Sequence, residues 1–172
     1  MSLRYALLGL LSDRPASGYD LVQRFKMSLA NVWPATQSQI YTELTKLADA
    51  GAIVVSDEGP RGRKEYTITD AGLADLRAWL TETKPKRLAR NETLLRVFFL
   101  GVVPPAHARD YLSDIETAST KDAAELAALE ASIDWDDDDL SVYGRIAMEW
   151  GKRFHAMKRE WAEWALTQIP ER

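Results

Sequence analysis

The side chains best suited to chemistry with a partner gather in residues 35–73, ATQSQIYTELTKLADAGAIVVSDEGPRGRKEYTITDAGL. Gln37, Ser38, Tyr41, Thr42 and Thr45 lie opposite the apolar positions of a helical pattern, and Gln39 adjoins them. Amides, hydroxyls and a phenol in such a row can bond the edges of DNA bases or phosphate oxygens, and Lys46 can neutralise a phosphate. Downstream, Arg61, Arg63 and Lys64 sit in DEGPRGRK, among glycines that let a backbone approach closely, which suits phosphate or minor-groove contact. An ordinary amphipathic helix and a solvated hairpin tip could carry similar residues. Context favours the nucleic-acid reading: two helices precede the polar helix, a basic hairpin follows it, and Glu43 is the exception on a face poor in acids. Lys84, Lys86, Arg87 and Arg90 read better as a solubilising linker than as DNA contacts.

Catalysis finds no support. His107 and His155 fall in helical patterns without matched ligand spacing, and no nucleophile elbow, P-loop or dinucleotide fingerprint is present. The run Asp134–Asp139 points consecutive carboxylates in different directions and lacks the glycine turn of a calcium loop, so a solvated acidic turn is expected and no metal or cofactor.

The elements that must position the polar helix follow from periodicity and breakers. A first helix over about Leu3–Leu11 buries Leu3, Ala6, Leu7, Leu10 and Leu11, and Arg14-Pro15 ends it. Ser17 caps a second helix with Leu21, Val22, Phe25 and Leu29 inward, reaching about Ala30. After Trp33-Pro34 a third helix runs from Thr36 or Gln37 to Ala50, with Ile40, Leu44, Leu47 and Ala48 on its inner face and Gly51 as a left-handed terminator. Two β-rich segments, 52–56 and 65–69, flank the basic turn. Thr69-Asp70 starts a fourth helix with Leu73, Leu76 and Leu80 inward.

The second half reads as helical throughout. Asn91 caps a helix ending near Gly101 with Leu94, Leu95, Phe98 and Phe99 buried. After Pro104-Pro105 a long helix to about Ile133 turns Ala108, Leu112, Ile115, Ser119, Leu126 and Leu129 inward at alternating steps of four and three, with Asp122 and Ile133 in the same row. The last helix repeats that spacing with Tyr143, Trp150, Phe154, Met157, Trp161 and Trp164, and Ala147 between the first two. Two such helices look like half of an interface, so these six aromatic or Met side chains are the expected dimer contact. A flat aromatic effector could also stack between Trp rings across a two-fold axis.

Net charge is −4, yet residues 1–90 carry 13 Lys or Arg against 10 Asp or Glu, while residues 91–172 carry 9 against 16. The acidity therefore sits in the second half and does not exclude a DNA-facing first half. The chain has no cysteine, which fits a reducing compartment. The apolar run near the N-terminus lacks a cleavage site and is too short to span a membrane, so a cytoplasmic protein is expected.

Three segments resemble the PadR family of bacterial transcriptional regulators: Gly18-Tyr19-Asp20-Leu21; Tyr41, Leu44, Leu47 and Gly51; and Gly62-Arg63, Tyr66, Ile68, Thr69 and Gly72. The second half, with ETLLRVFFLG and WAEWAL, is similar to the virulence-activator-like C-terminal branch. The resemblance implies a mostly α fold with a small β-wing: a winged helix-turn-helix over 1–83, a linker over 84–90, and an antiparallel helical dimerisation domain over 91–172. It implies a homodimer, often a repressor, that binds a pseudo-palindromic operator in double-stranded DNA. Contacts would fall on Tyr41, its helix neighbours, and the wing residues Arg63 and Lys64. Members that sense phenolic acids or drugs bind them near the dimer interface. The polar opening TQSQ departs from the small residues of many members, and leaves the operator sequence open. The rival reading is a winged-helix module that binds protein rather than an operator.

Overall fold

The computed structural model describes residues 2–29, 32–56, 64–85 and 90–170. The described residues form seven α-helices and a three-stranded antiparallel sheet: α1 (Ser2–Asp13), β1 (Ala16–Ser17), α2 (Gly18–Ser28), α3 (Gln37–Asp49), β2 (Ile53–Ser56), β3 (Glu65–Ile68), α4 (Asp70–Glu82), α5 (Glu92–Phe98), α6 (Pro105–Ser132) and α7 (Asp139–Thr167). They fall into two compact units, Met1–Pro85 and Lys86–Arg172.

In the first unit α1 is the central element, touching α2, α3, α4 and β3. That explains why it is apolar on more than one face: Leu7, Leu8, Leu10 and Leu11 are all buried. Against them lie Leu21, Val22 and Phe25 of α2, Ile40, Leu44 and Leu47 of α3, and Leu76 of α4. Each fully buried Leu or Phe contributes about 2 kcal/mol of apolar transfer. Arg4 of α1 donates through Nε and Nη2 to Asp75 of α4 at 3.0 and 2.9 Å. The pair is partly exposed, so its share is at most about 1 kcal/mol, and it serves to align the two helices.

Ser17 caps α2 as expected, accepting from the Asp20 amide. The helix stops at Ser28, two residues short of the expected end. The strand β1 was not foreseen. Its two residues pair with β3, Ala16 opposite Tyr66 and Ser17 opposite Glu65, so the sheet order is β1-β3-β2. In α4 Leu73 is half-buried and Leu76 buried, but Leu80 is exposed rather than inward. Trp79 takes the inner position, because its ring stacks on Tyr5 of α1 at 4.5 Å and nearly parallel planes.

In the second unit α6 and α7 form an antiparallel pair. The expected row on α6 faces inward, with Ala108, Leu112, Ser119 and Leu126 buried. On α7 the face turned to α6 is made of small residues. Ala162 and Ala165 are buried, and a Cβ on Gly151 would come within 2.8 Å of a Leu126 methyl group. Glu130 and Lys152 link the helices at 3.0 Å. Asp138 caps α7 through the Ser141 amide, and hydrogen bonds from Ser141 and the Asp138 amide hold the Asp136 carboxyl below its usual range. The acidic run is the exposed turn its composition predicts, and its last two residues cap and begin α7.

Two expectations fail in this unit. The helix starting at Asn91 ends at Phe98, followed by a 3-10 turn over Leu100–Val102. Leu94, Leu95, Phe98 and Phe99 are exposed instead of buried. A seven-residue helix with apolar residues on adjacent faces cannot bury them all, and the element that packs against it is the short turn that follows.

Candidate nucleic-acid interface

The polar helix α3 is fixed at both ends by local chemistry. At its start Thr36 and Gln39 form a reciprocal capping box: the Gln39 amide donates to Thr36 Oγ1 at 3.3 Å, and the Thr36 amide donates to Gln39 Oε1 at 2.8 Å. At its end Gly51 adopts φ of 67°, a conformation open to glycine at little cost, and turns the chain into β2. Replacing Thr36 by alanine should therefore destabilise the first unit by about 1 kcal/mol, read as a lower melting temperature.

With Ile40, Leu44 and Leu47 buried, the opposite face of α3 is left to solvent: Gln37, Ser38, Gln39, Tyr41, Thr42, Thr45 and Lys46 are all exposed. Their freedom differs. Gln39 spends its carbonyl oxygen on the cap and keeps its amide N–H groups for other partners. The Thr-x-x-Gln spacing signals this commitment, and was passed over in the sequence reading. The Thr45 hydroxyl donates to the Tyr41 carbonyl at 3.1 Å. Lys46 lies 3.8 Å from Glu43, a loose, solvated pair that a phosphate could displace.

Tyr41 has a further role that the sequence reading missed. A Cβ on Gly18 would fall 2.6 Å from the Tyr41 ring, so the glycine at the start of α2 gives the ring its seat. Burial, with a smaller contribution from Tyr41, raises the Tyr66 phenol above its usual value. Tyr41 thus ties α3 to the start of α2 while its outer edge remains exposed.

Ile53 pairs with Ile68 and Ser56 with Glu65, so the basic turn leaves from the far end of the β2–β3 hairpin. Lys64, just before β3, is exposed. Arg61 and Arg63 lie outside the described residues. Of the expected interface in the second unit, Tyr143, Trp150, Met157 and Trp164 are exposed, Phe154 is at the margin, and Trp161 is half-buried. Trp150 stacks on Phe154 at 5.1 Å. Among the described residues no group of three or more His, Asp or Glu could hold a metal ion, and no helix is long and apolar enough to cross a membrane.

Comparison with known proteins agrees with this architecture. Residues 7–78 match the transcriptional regulator PadR-like family, and residues 89–169 match the virulence activator alpha C-terminal family. The negative transcriptional regulator PadR of Bacillus subtilis is 38% identical over 116 residues, which span 65% of this chain and 64% of that protein. The crystal structure of Bacillus subtilis PadR with operator DNA superposes with a TM-score of 0.82 at 30% identity, covering 99% of this chain and 100% of that one. The structure of the same protein with p-coumaric acid gives 0.82 at 30% identity, covering 98% and 99%. The chain belongs to the PadR-like family of transcriptional regulators, a winged helix-turn-helix followed by a helical half of the virulence-activator type.

Proposed function

We propose that the protein is a homodimeric repressor acting on DNA in the cytoplasm. Residues 37–50 enter the major groove of a pseudo-palindromic operator, and the wing over residues 57–65 lies along the adjacent backbone. The observation that carries this reading is the face of α3: six polar side chains and Lys46 exposed on a helix whose other side is locked in the core. Helices of this kind read base edges when a dimer sets two of them about one DNA turn apart. The relative solved with operator DNA supports the same assignment. Its complex with p-coumaric acid supports a small aromatic effector that releases the operator.

The wing is tested by salt. Arg63→Ala with Lys64→Ala should weaken operator binding and flatten its dependence on ionic strength. Each lost phosphate contact removes about 0.9 from the slope of log affinity against log salt, so a dimer losing four should show a drop of about 3 to 4. Titrations at several salt concentrations check this, and an unchanged affinity and slope would take the wing out of the interface.

A further inference from the structure

The second unit exposes apolar surface in two separate places. One is the stripe on α7, Tyr143, Ile146, Trp150, Phe154, Met157 and Trp164. The other lies on α5 and the turn after it, where Phe98 is 85% and Val102 83% exposed, with Leu94, Leu95 and Phe99 beside them. Next to this patch Leu95, Phe99, Leu100, Val103, His107 and Tyr111 line an open groove of about 400 Å³.

The groove offers little to a charged small molecule. Arg96 at its rim is already bound to Glu92 at 2.7 and 3.1 Å, and the hydrogen bond and charge of Glu92 keep its guanidinium more firmly protonated. An apolar occupant fits better, and area indicates which. Taking about 200 Å² for a large side chain, the exposed part of the α7 stripe comes to roughly 700 Å². That is just under the ~800 Å² each partner contributes to an interface of standard size. The α5 patch offers roughly as much again. Both together would bury about 2,800 Å² in a dimer, within the range of obligate homodimers.

The ends of the hairpin decide how the two surfaces meet. Arg109 Nη2, in the first turns of α6, donates to the carbonyls of Ile169 and Pro170 at 2.9 and 3.0 Å. The start of α6 and the end of α7 are therefore at one end of the pair, and α5, which leads into α6, belongs to the Trp164 end of its own stripe. The stripe spans 22 residues, about 32 Å of helix from the first to the last. A two-fold axis near its middle, at Phe154, runs the two α7 helices antiparallel and carries the Tyr143–Ile146 end of one copy to the α5 end of the other. We propose that the α5 patch and its groove are the seat for the Tyr143–Ile146 end of the second copy's α7, so that each dimer contains this contact twice. This placement rests on the dimer reading above.

The absence of cysteine allows a clean test. Two differently tagged chains, Phe98→Cys and Ile146→Cys, are co-expressed and treated with a short bis-maleimide, with far-UV circular dichroism checking that both stay helical. The expected result is a cross-linked product carrying both tags, with little product from either variant alone. Phe154→Cys, treated alone, should cross-link to itself. If Phe154→Cys links and the mixed pair does not, the placement of α5 is overturned while the α7 dimer stands. If neither links and both samples sediment as monomers, the dimer reading falls and the placement with it.

Discussion

Replacing Gly72 by alanine is expected to destabilise the first unit by about 3 kcal/mol, as overpacking against backbone does. The usual effect of this exchange inside a helix is a gain of up to about 1 kcal/mol. The sign reverses because a Cβ at position 72 would collide with the Ala52 carbonyl oxygen and stand 3.0 Å from its carbon. Neither side can yield cheaply. The Thr69 amide donates to the same Ala52 carbonyl, Thr69 Oγ1 donates to the Gly51 carbonyl at 2.8 Å, and Thr69 also accepts from the Gly72 amide to start α4. Separating these strands and helix would undo the hairpin that carries the basic loop. A domain of this size loses about 4 to 8 °C in melting temperature per kcal/mol, so a drop of more than about 12 °C is expected in a thermal melt. Gly9→Ala in α1 is the control. Nothing lies within 4 Å of a Cβ there, so the melting temperature should rise by a few degrees. Equal behaviour of the two variants would contradict the close approach of α4 to β2.

Much of the first unit was legible because local rules and tertiary packing agree there. Ser17, Thr69 and Asn91 act as the caps their types suggest, and Gly51 has the positive φ that its position after α3 requires. The inner faces of α2, α3 and α6 follow the apolar spacing closely. What escaped depends on partners rather than pattern. Two residues, Ala16 and Ser17, are too few to signal a strand until β3 is placed beside them. Trp79 and Leu80 are adjacent and both apolar, and only the Tyr5 ring decides which turns inward. In α7 periodicity favours the large aromatic side chains as the packed face. The close approach to α6 is made instead by Gly151, Ala162 and Ala165, roughly a third of a turn away. The polar face of α3 was legible as a set, but not the prior engagement of Gln39 and Tyr41 by their own fold.

Trp150→Ala is expected to raise the dissociation constant of the proposed dimer about a thousandfold and to cost operator affinity as a consequence. In a single chain Trp150 is 68% exposed and stacked on Phe154, outside the face that meets α6. A large aromatic removed from an interface centre costs on the order of 2 kcal/mol, and a two-fold dimer loses it twice. About 4 kcal/mol corresponds to three powers of ten in the dissociation constant. The core of the first unit contains no residue of α7, so its α3 face should remain folded and able to touch DNA one copy at a time. Binding to a full operator should then fall toward that of a half-site, since linked half-sites gain roughly a hundredfold to ten-thousandfold from simultaneous engagement. Sedimentation at micromolar concentration and titration of whole and half operators separate the two effects. A dimer that persists with undiminished operator affinity would mean that the α7 stripe is not where the two copies meet. A monomer that binds the full operator as tightly as before would mean that one α3 and one wing suffice for recognition.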